Sequence, residues 1–263
     1  MEKLHARKAL PIVLVLALVI ALVIFCLIFF LLGFRYTKMD NGVKFIGFVR
    51  DGVPSSGTIY YESGKAKLNA QARTIRYANG DIYEGDIKDL QRNGTGKMLY
   101  ASGDSFEGDF ADDVICGKGT FRYVNGDSFT GDYKDGKRSG EGTYAFADGS
   151  SYQGQFQENR REGQGTETTA SGDIYTGGWI NDMKNGTGTY EWENGDKYTG
   201  EFKNNIREGK GVFTWANGEA YTGDFKNNQP NGQGTYTWPA SEDGTPARSY
   251  TGTFENGLIV LPG

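Results

Sequence analysis

The 263-residue sequence contains very little histidine and cysteine and only 37% hydrophobic residues. The single histidine, His5, precedes a long apolar run, so no Ser-His-Asp, Cys-His or histidine-bearing metal site can form beyond that run. Cys26 lies within the run and Cys116 far beyond it, so we expect no disulfide between them. Few aliphatic residues are available for a closed core. We therefore predict that the chain is not an enzyme and holds no cofactor or metal.

The charge is unevenly distributed along the chain. Residues 1–80 hold 11 Lys and Arg against 4 Asp and Glu, a net charge of +7, and residues 81–263 hold 17 against 29, a net charge of −12. The acidic part would repel phosphates, which argues against nucleic acid as a partner.

A basic tail at residues 1–8 precedes an apolar run, Ala9–Leu32, that has no charged residue. About 20 apolar residues suffice for a transmembrane helix, and we place one at residues 9–34. A cleaved signal peptide is the alternative, although its apolar region is usually shorter and ends at small residues. The lipid bilayer is thus an expected partner through this helix, and the short basic tail favours repeats outside the cytoplasm of a single-pass protein.

The rest of the chain repeats itself. The glycine of an aromatic-x-Gly triplet recurs every 23 residues from Gly85 to Gly223, and a further copy has Gly252. A worn copy surrounds Phe45 and Gly47. A fixed period of this length indicates one supersecondary unit stacked on copies of itself.

Each repeat predicts two antiparallel strands. The segment Tyr221–Phe225 alternates in the manner of a strand, and Asn217-Gly218 predicts a two-residue type I′ turn. We expect Gly-x-Gly steps such as Gly186-Thr-Gly188 to form turns. We expect the triplet glycines to be covered by rings of the neighbouring strand. The predicted fold is all-β: a single elongated, twisted antiparallel sheet of about sixteen strands built from stacked β-hairpins and preceded by one transmembrane helix.

This unit resembles the MORN repeat, whose pattern is Tyr-x-Gly-x-Trp/Phe, a loop, Gly-x-Gly, an aromatic strand and Asn/Asp-Gly. The resemblance covers residues 79–238 in seven copies. Degenerate repeats would occupy a basic juxtamembrane segment at 35–78 and, together with an apolar cap, residues 239–263. Membership implies a grooved sheet that serves as a scaffold or docking surface, in some members for membrane association or self-association.

We expect the aromatic rows to form a groove that docks a protein partner within a membrane-associated complex. A module that stacks on glycans outside the cell is the alternative, and self-association is a third possibility. The predicted groove residues are Phe121, Tyr123, Tyr144, Phe146, Tyr190, Trp192, Phe213, Trp215, Tyr236 and Trp238.

One copy departs from the pattern. Glu167 and Thr169 replace the expected aromatics, and Gly178 stands where most copies carry Asp or Glu. Neutral drift explains such a change in a tolerant array. A polar notch in the groove, with the three positions close together, is the sharper interpretation.

The chain finishes with apolar residues 258–261 and Pro262. We expect this tail to fold back as a capping strand on the edge of the sheet, or to dock into the end of the groove, and to bury its apolar side chains.

Overall fold

The computed structural model describes residues 2–240 and 246–261, with side chains from residue 12 onward. The chain divides into two compact units, residues 1–101 and 102–263. In each unit the strands pair antiparallel with their neighbours in sequence, as an open sheet of stacked hairpins. This confirms the predicted all-β architecture and its N-terminal helix.

Helix α1 spans Glu2–Leu31. Within it, Ile12–Leu31 is long and apolar enough to cross a membrane, and none of that stretch is buried in the structure. The helix ends three residues before the predicted residue 34 because Gly33, with φ of 91°, provides a left-handed C-terminal turn.

The first unit contains α1 and seven strands. They are β1 (Phe34–Lys38), β2 (Lys44–Arg50), β3 (Val53–Tyr61), β4 (Gly64–Asn69), β5 (Thr74–Tyr77), β6 (Ile82–Lys88) and β7 (Gln91–Leu99).

The second unit contains fourteen strands in its described part. They are β8 (Ser105–Ala111), β9 (Val114–Arg122), β10 (Ser128–Lys134), β11 (Lys137–Ala145), β12 (Ser151–Gln157), β13 (Arg160–Thr168), β14 (Ile174–Ile180), β15 (Met183–Glu191), β16 (Lys197–Lys203), β17 (Ile206–Thr214), β18 (Ala220–Lys226), β19 (Gln229–Trp238), β20 (Arg248–Glu255) and β21 (Leu258–Val260). The estimate of about sixteen strands was too low, chiefly because residues 34–77 form five strands where we expected only worn repeats.

In each repeat, one aromatic ring covers a pair of glycines on the same side of the sheet. We call this side the sealed face. A Cβ on Gly223 would lie 2.5 Å from Tyr221 Oη and 2.5 Å from the Cα of Gly234 on the next strand. The ring that covers the glycine pair therefore belongs to its own triplet, and the prediction that the neighbouring strand supplies it was wrong. The worn copy is built alike, because a Cβ on Gly47 would lie 2.6 Å from Phe45 Cζ.

The two turns of each repeat are exchanged relative to the prediction. Asn204 and Asn205, with φ of 49° and 69°, form the two-residue hairpin that type I′ geometry requires. At Asn217-Gly218 only the glycine has positive φ, and the N–H of Gly218 donates to the carbonyl of Trp215 over 2.9 Å. That connection is a wider loop with a type I-like turn, so the type I′ assignment was wrong.

The Gly-x-Gly step is also not a turn. Gly186 and Gly188 lie within β15, where Gly186 has a φ of 73° beside a break in register between β14 and β15. The first glycine permits this β-bulge, and the second lies under the ring of Tyr175.

The C-terminal tail adds strand β21 to β20, but it does not bury its side chains. Leu258 is 73% exposed and Leu261 is 74% exposed, so the expected burial was wrong. Pro262 and residues 241–245 of the predicted last repeat lie outside the described residues.

A candidate binding face in the second unit

The sealed face of the second unit, here called the aromatic face, is built on two buried rings per repeat. Tyr198 is fully buried and packs edge to face on Phe202 at 5.2 Å and on Phe225 of the next repeat at 4.9 Å. Such contacts each contribute about 0.5–1.5 kcal/mol beyond burial. They link each repeat to the next and hold the face rigid.

The ten predicted groove aromatics lie on this face beside the buried rings. Phe213 is directly opposite Tyr198 and Tyr221, which places it on their side of the sheet. The ten rings are only partly buried, apart from Phe146, which is 38% exposed.

These rings, here called the ring row, form two runs of contacts with centroids 4.4–6.1 Å apart. The first run is Phe121, Tyr123, Tyr144 and Phe146, and the second is Tyr190, Trp192, Phe213, Trp215, Tyr236 and Trp238.

A column of cations crosses the same face, and sequence reasoning missed it. Its members recur every 23 residues and pair across the sheet with a buried ring: Arg138, Arg161, Lys184 and Arg207. The period alone could have found them. Arg161 lies 4.2 Å from the ring centroid of Trp179, and Arg138 lies 5.0 Å from that of Tyr144. Cations over ring faces are favourable when partly desolvated.

The interruption of the ring row is an ion-pair cluster. Glu167 accepts from Arg161 Nη1 over 2.5 Å and from Lys184 Nζ over 2.6 Å. All three side chains are at most 22% exposed. Thr169 lies at the adjoining loop, where its hydroxyl contacts Ser171.

Gly178 is not part of this cluster. It pairs with Gln164, whereas Glu167 pairs with Tyr175 three positions along the strand. Gly178 occupies the place of the carboxylates Asp132 and Asp224, which accept from the backbone N–H groups of Glu141 and Gln233. The structure therefore does not bring the three notch residues together.

All three arginines of the column donate to a turn carbonyl, and for Arg138 and Arg207 these are the carbonyls of Asn159 over 2.9 Å and of Asn228 over 2.8 Å. Arg138 and Arg207 differ from Arg161 and Lys184 in lacking an ion pair with any described residue. Among the described residues, no carboxylate lies within 4 Å of either guanidinium. Burial lowers the pKa of Arg207.

A shallow recess of about 240 Å³ opens beside Arg138, at the end of the first run of rings. Phe146, Asn159, Arg161 and Asp182 also line it. Because Asp182 pairs with Arg161 over 3.4 Å, Arg138 is the cation of this recess that can still pair with a carboxylate beside the rings.

Tyrosine hydroxyls of the ring row donate hydrogen bonds to carboxylates at its rim. Tyr144 donates to Asp127 over 2.9 Å, and Tyr190 donates to Asp173 over 3.0 Å. Burial and these bonds raise the pKa of both tyrosines to about 12. The hydroxyls therefore remain neutral donors at ordinary pH.

The chain is weakly similar to several solved structures. The TCP domain of SAS-4 (dCPAP) from Drosophila melanogaster, solved with a proline-rich motif of Ana2 (dSTIL), is 16% identical over 65% of this chain and 90% of that chain, with a TM-score of 0.38. The G-box domain of the microcephaly protein CPAP is 12% identical over 76% of this chain and 100% of that chain, with a TM-score of 0.33. A search of curated proteins found no match.

The family comparison matches most of the chain. The MORN repeat model fits seven consecutive segments: 83–105, 106–128, 129–151, 152–174, 175–197, 198–220 and 221–241. These segments share the ring that seals a glycine pair and the bulge that follows it. The chain belongs to the MORN repeat family.

Proposed function

We propose that this chain is a membrane-anchored scaffold, held by α1, whose aromatic face docks an extended segment of a protein partner, with apolar side chains on the rings and a carboxylate opposite Arg138 or Arg207. The observation that carries the proposal is the contrast within the column of cations. Arg161 and Lys184 share Glu167, and Arg161 also pairs with Asp182. Arg138 and Arg207 lie on rings, and no carboxylate of a described residue lies within 4 Å of either guanidinium.

A partly desolvated cation without a counter-ion is costly, and a partner carboxylate that pairs with it recovers part of that cost. Arg207 lies 5.1 Å from the ring centroid of Phe213 and 5.4 Å from that of Trp192. An incoming carboxylate would meet the guanidinium edge while the neighbouring apolar side chain packs on the rings. We expect such pairs to supply specificity and the rings to supply most of the buried area.

Anchoring rests on the helix. The stretch Ile12–Leu31 has no buried portion in the structure, and so long an apolar helix is stable in a bilayer.

A peptide-display selection against the full chain in lipid nanodiscs tests the docking proposal. We expect enriched peptides to combine Asp or Glu with aromatic or aliphatic residues. Arg138→Gln with Arg207→Gln should remove the enrichment. Arg122→Gln is the matched control, because Arg122 is an exposed strand arginine next to Phe121 and points to the opposite side of the sheet.

Enrichment without acidic residues, or enrichment unchanged by the double substitution, would contradict the proposed docking mode. Glycan binding that is lost when Trp192, Trp215 and Trp238 become alanine would favour the glycan-binding alternative.

A further inference from the structure

The face of the first unit opposite to its sealed core carries a cluster of cations. Strands β1–β5 contain no Asp or Glu. Their exposed side presents five basic side chains, here called the basic face: Lys38, Lys44, Lys65, Lys67 and Arg76.

Strand register places these side chains together. Lys38 is opposite Lys44 on the neighbouring strand, and Lys67 is opposite Arg76. Directly opposite positions lie about 5 Å apart on the same face. Like charges at that distance destabilise the sheet, so the arrangement has no value for folding alone.

The basic face lacks internal counter-ions. Lys67 Nζ donates to Thr58 Oγ1 over 2.7 Å. Among the described residues, no carboxylate lies within 4 Å of any of the five cations. An external anionic surface is the natural complement.

Apolar side chains are interleaved with the charges. Tyr36, Ile46 and Tyr60 are 61%, 37% and 40% exposed and lie on the same face as the lysines. Tyrosine with lysine is the combination found at the membrane–water interface, where the ring lies among headgroups and the amine reaches the phosphates.

The membrane helix meets the sheet on this same face. Phe29 of α1 lies 5.5 Å from Phe34 and 6.0 Å from Phe48, and these two rings are themselves 5.4 Å apart. Phe34 and Phe48 share the face of Tyr36 and Ile46. The N–H of Val49 donates to the carbonyl of Gly33 over 2.8 Å and fixes the connection.

We infer that the basic face lies on the bilayer surface that α1 leaves and binds the headgroups of anionic lipids. This inference rests on the proposed anchoring by α1. The helix end brings β1 and β2 to the interface. Each lysine near an anionic surface then gains an attraction that acts within about 8 Å at physiological salt.

Lysine acylation of the full chain in nanodiscs tests the inference. Discs of phosphatidylcholine are compared with discs that also contain phosphatidylserine, with N-acetyl-lysine amide as the rate standard in each sample. We expect acylation of Lys65 and Lys67 to be about fivefold slower in the anionic discs. High salt should abolish the difference.

A variant keeps the test independent of general lipid effects. In Lys65→Thr, Lys67→Thr, Arg76→Thr the slowing at Lys44 should shrink, because fewer cations hold the face to the lipid. Equal acylation in both kinds of disc would overturn the inference and leave the face open to an acidic macromolecule. Failure of the chain to co-elute with discs would instead contradict the anchoring itself.

Discussion

The worn repeat around Phe45 and the regular repeat around Tyr198 share one face and differ on the other. In both, a fully buried ring covers a pair of glycines on adjacent strands. On the opposite face the first carries lysines, and regular repeats of the second unit carry threonine pairs such as Thr189 and Thr199, whose hydroxyl oxygens are 3.1 Å apart. The sealed face sets the fold, and the other face is free to follow its surroundings.

Removing the sealing ring should have the largest effect, and it should be similar in both units. Phe45→Ala and Tyr198→Ala should each cost about 3–5 kcal/mol, because each empties a fully buried ring site. Hydrogen exchange of the amides in β2–β3 and β16–β17 measures the loss locally. The control Tyr36→Ala removes a ring that is 61% exposed and should have little effect. If Phe45→Ala alone is harmless, the worn repeat is not sealed in the same way.

Removing a carboxylate from the sealed face should lower the free energy of unfolding less than removing a sealing ring does, but more than removing an exposed charge does. Glu167→Ala leaves Arg161 and Lys184 without their shared carboxylate, and we expect a loss of about 2–3 kcal/mol in the free energy of unfolding. Urea unfolding checks this. Glu158→Ala, which breaks an exposed pair with Lys137, should change stability by less than about 0.5 kcal/mol. Equal effects of the two variants would show that the cluster is not stabilising.

Alkaline pH should weaken repeats sealed by tyrosine in both units and spare the one sealed by Phe45. Burial raises the pKa of Tyr83 and of Tyr198 to about 12. Because ordinary tyrosine titrates near 10, stability is full below that pH and falls as the pH rises from 10 towards 12. We expect a loss of about 1 kcal/mol per tyrosine between pH 10 and 11.

Hydrogen exchange at about pH 10 and at about pH 11 measures this loss of stability, with Tyr83→Phe and Tyr198→Phe as controls. An undiminished loss in the phenylalanine variants would show that other groups cause it.

Substitutions on the face opposite to the sealed face, cations to threonine in the first unit and threonine to lysine in the second, should affect stability least. Lys65→Thr, Lys67→Thr, Arg76→Thr and the converse Thr166→Lys, Thr176→Lys should each change the free energy of unfolding by less than about 0.5 kcal/mol per residue, since all five side chains lie away from the sealed face. Thermal unfolding measures it. A large loss in either direction would mean that the polar face takes part in folding.

The sequence predicted the repeat, its strands and the ring row because all three recur at 23 residues. It did not predict which turn is tight. Asn-Gly is a strong hairpin signal in isolation, yet the pair Asn204-Asn205 adopts the left-handed geometry, and the Asn-Gly loop instead lets Asp196 accept from the N–H of Ala216. The choice depends on contacts between repeats, which a local pattern does not contain.

The cation column was missed for a different reason. Arg138 and Arg207 were counted within a net charge, and a net charge does not say which face a residue occupies. Register decides that, and it follows from the bulge that separates Gly131 from Tyr133 in the pairing of β10 with β11.

The burial of the C-terminal tail was predicted wrongly because it was inferred from composition, whereas β21 is an edge strand with exposed side chains.

The most direct test of the account is the affinity of one selected acidic peptide for the full chain in nanodiscs, measured by tryptophan emission. All four tryptophans lie in the second unit, so the signal reports on that unit. We predict that Arg138→Gln with Arg207→Gln weakens binding about tenfold or more, as expected for lost charge-assisted hydrogen bonds. The triple substitution on the basic face should leave it unchanged. Binding that survives the double substitution, or that depends on the basic face, would contradict the account.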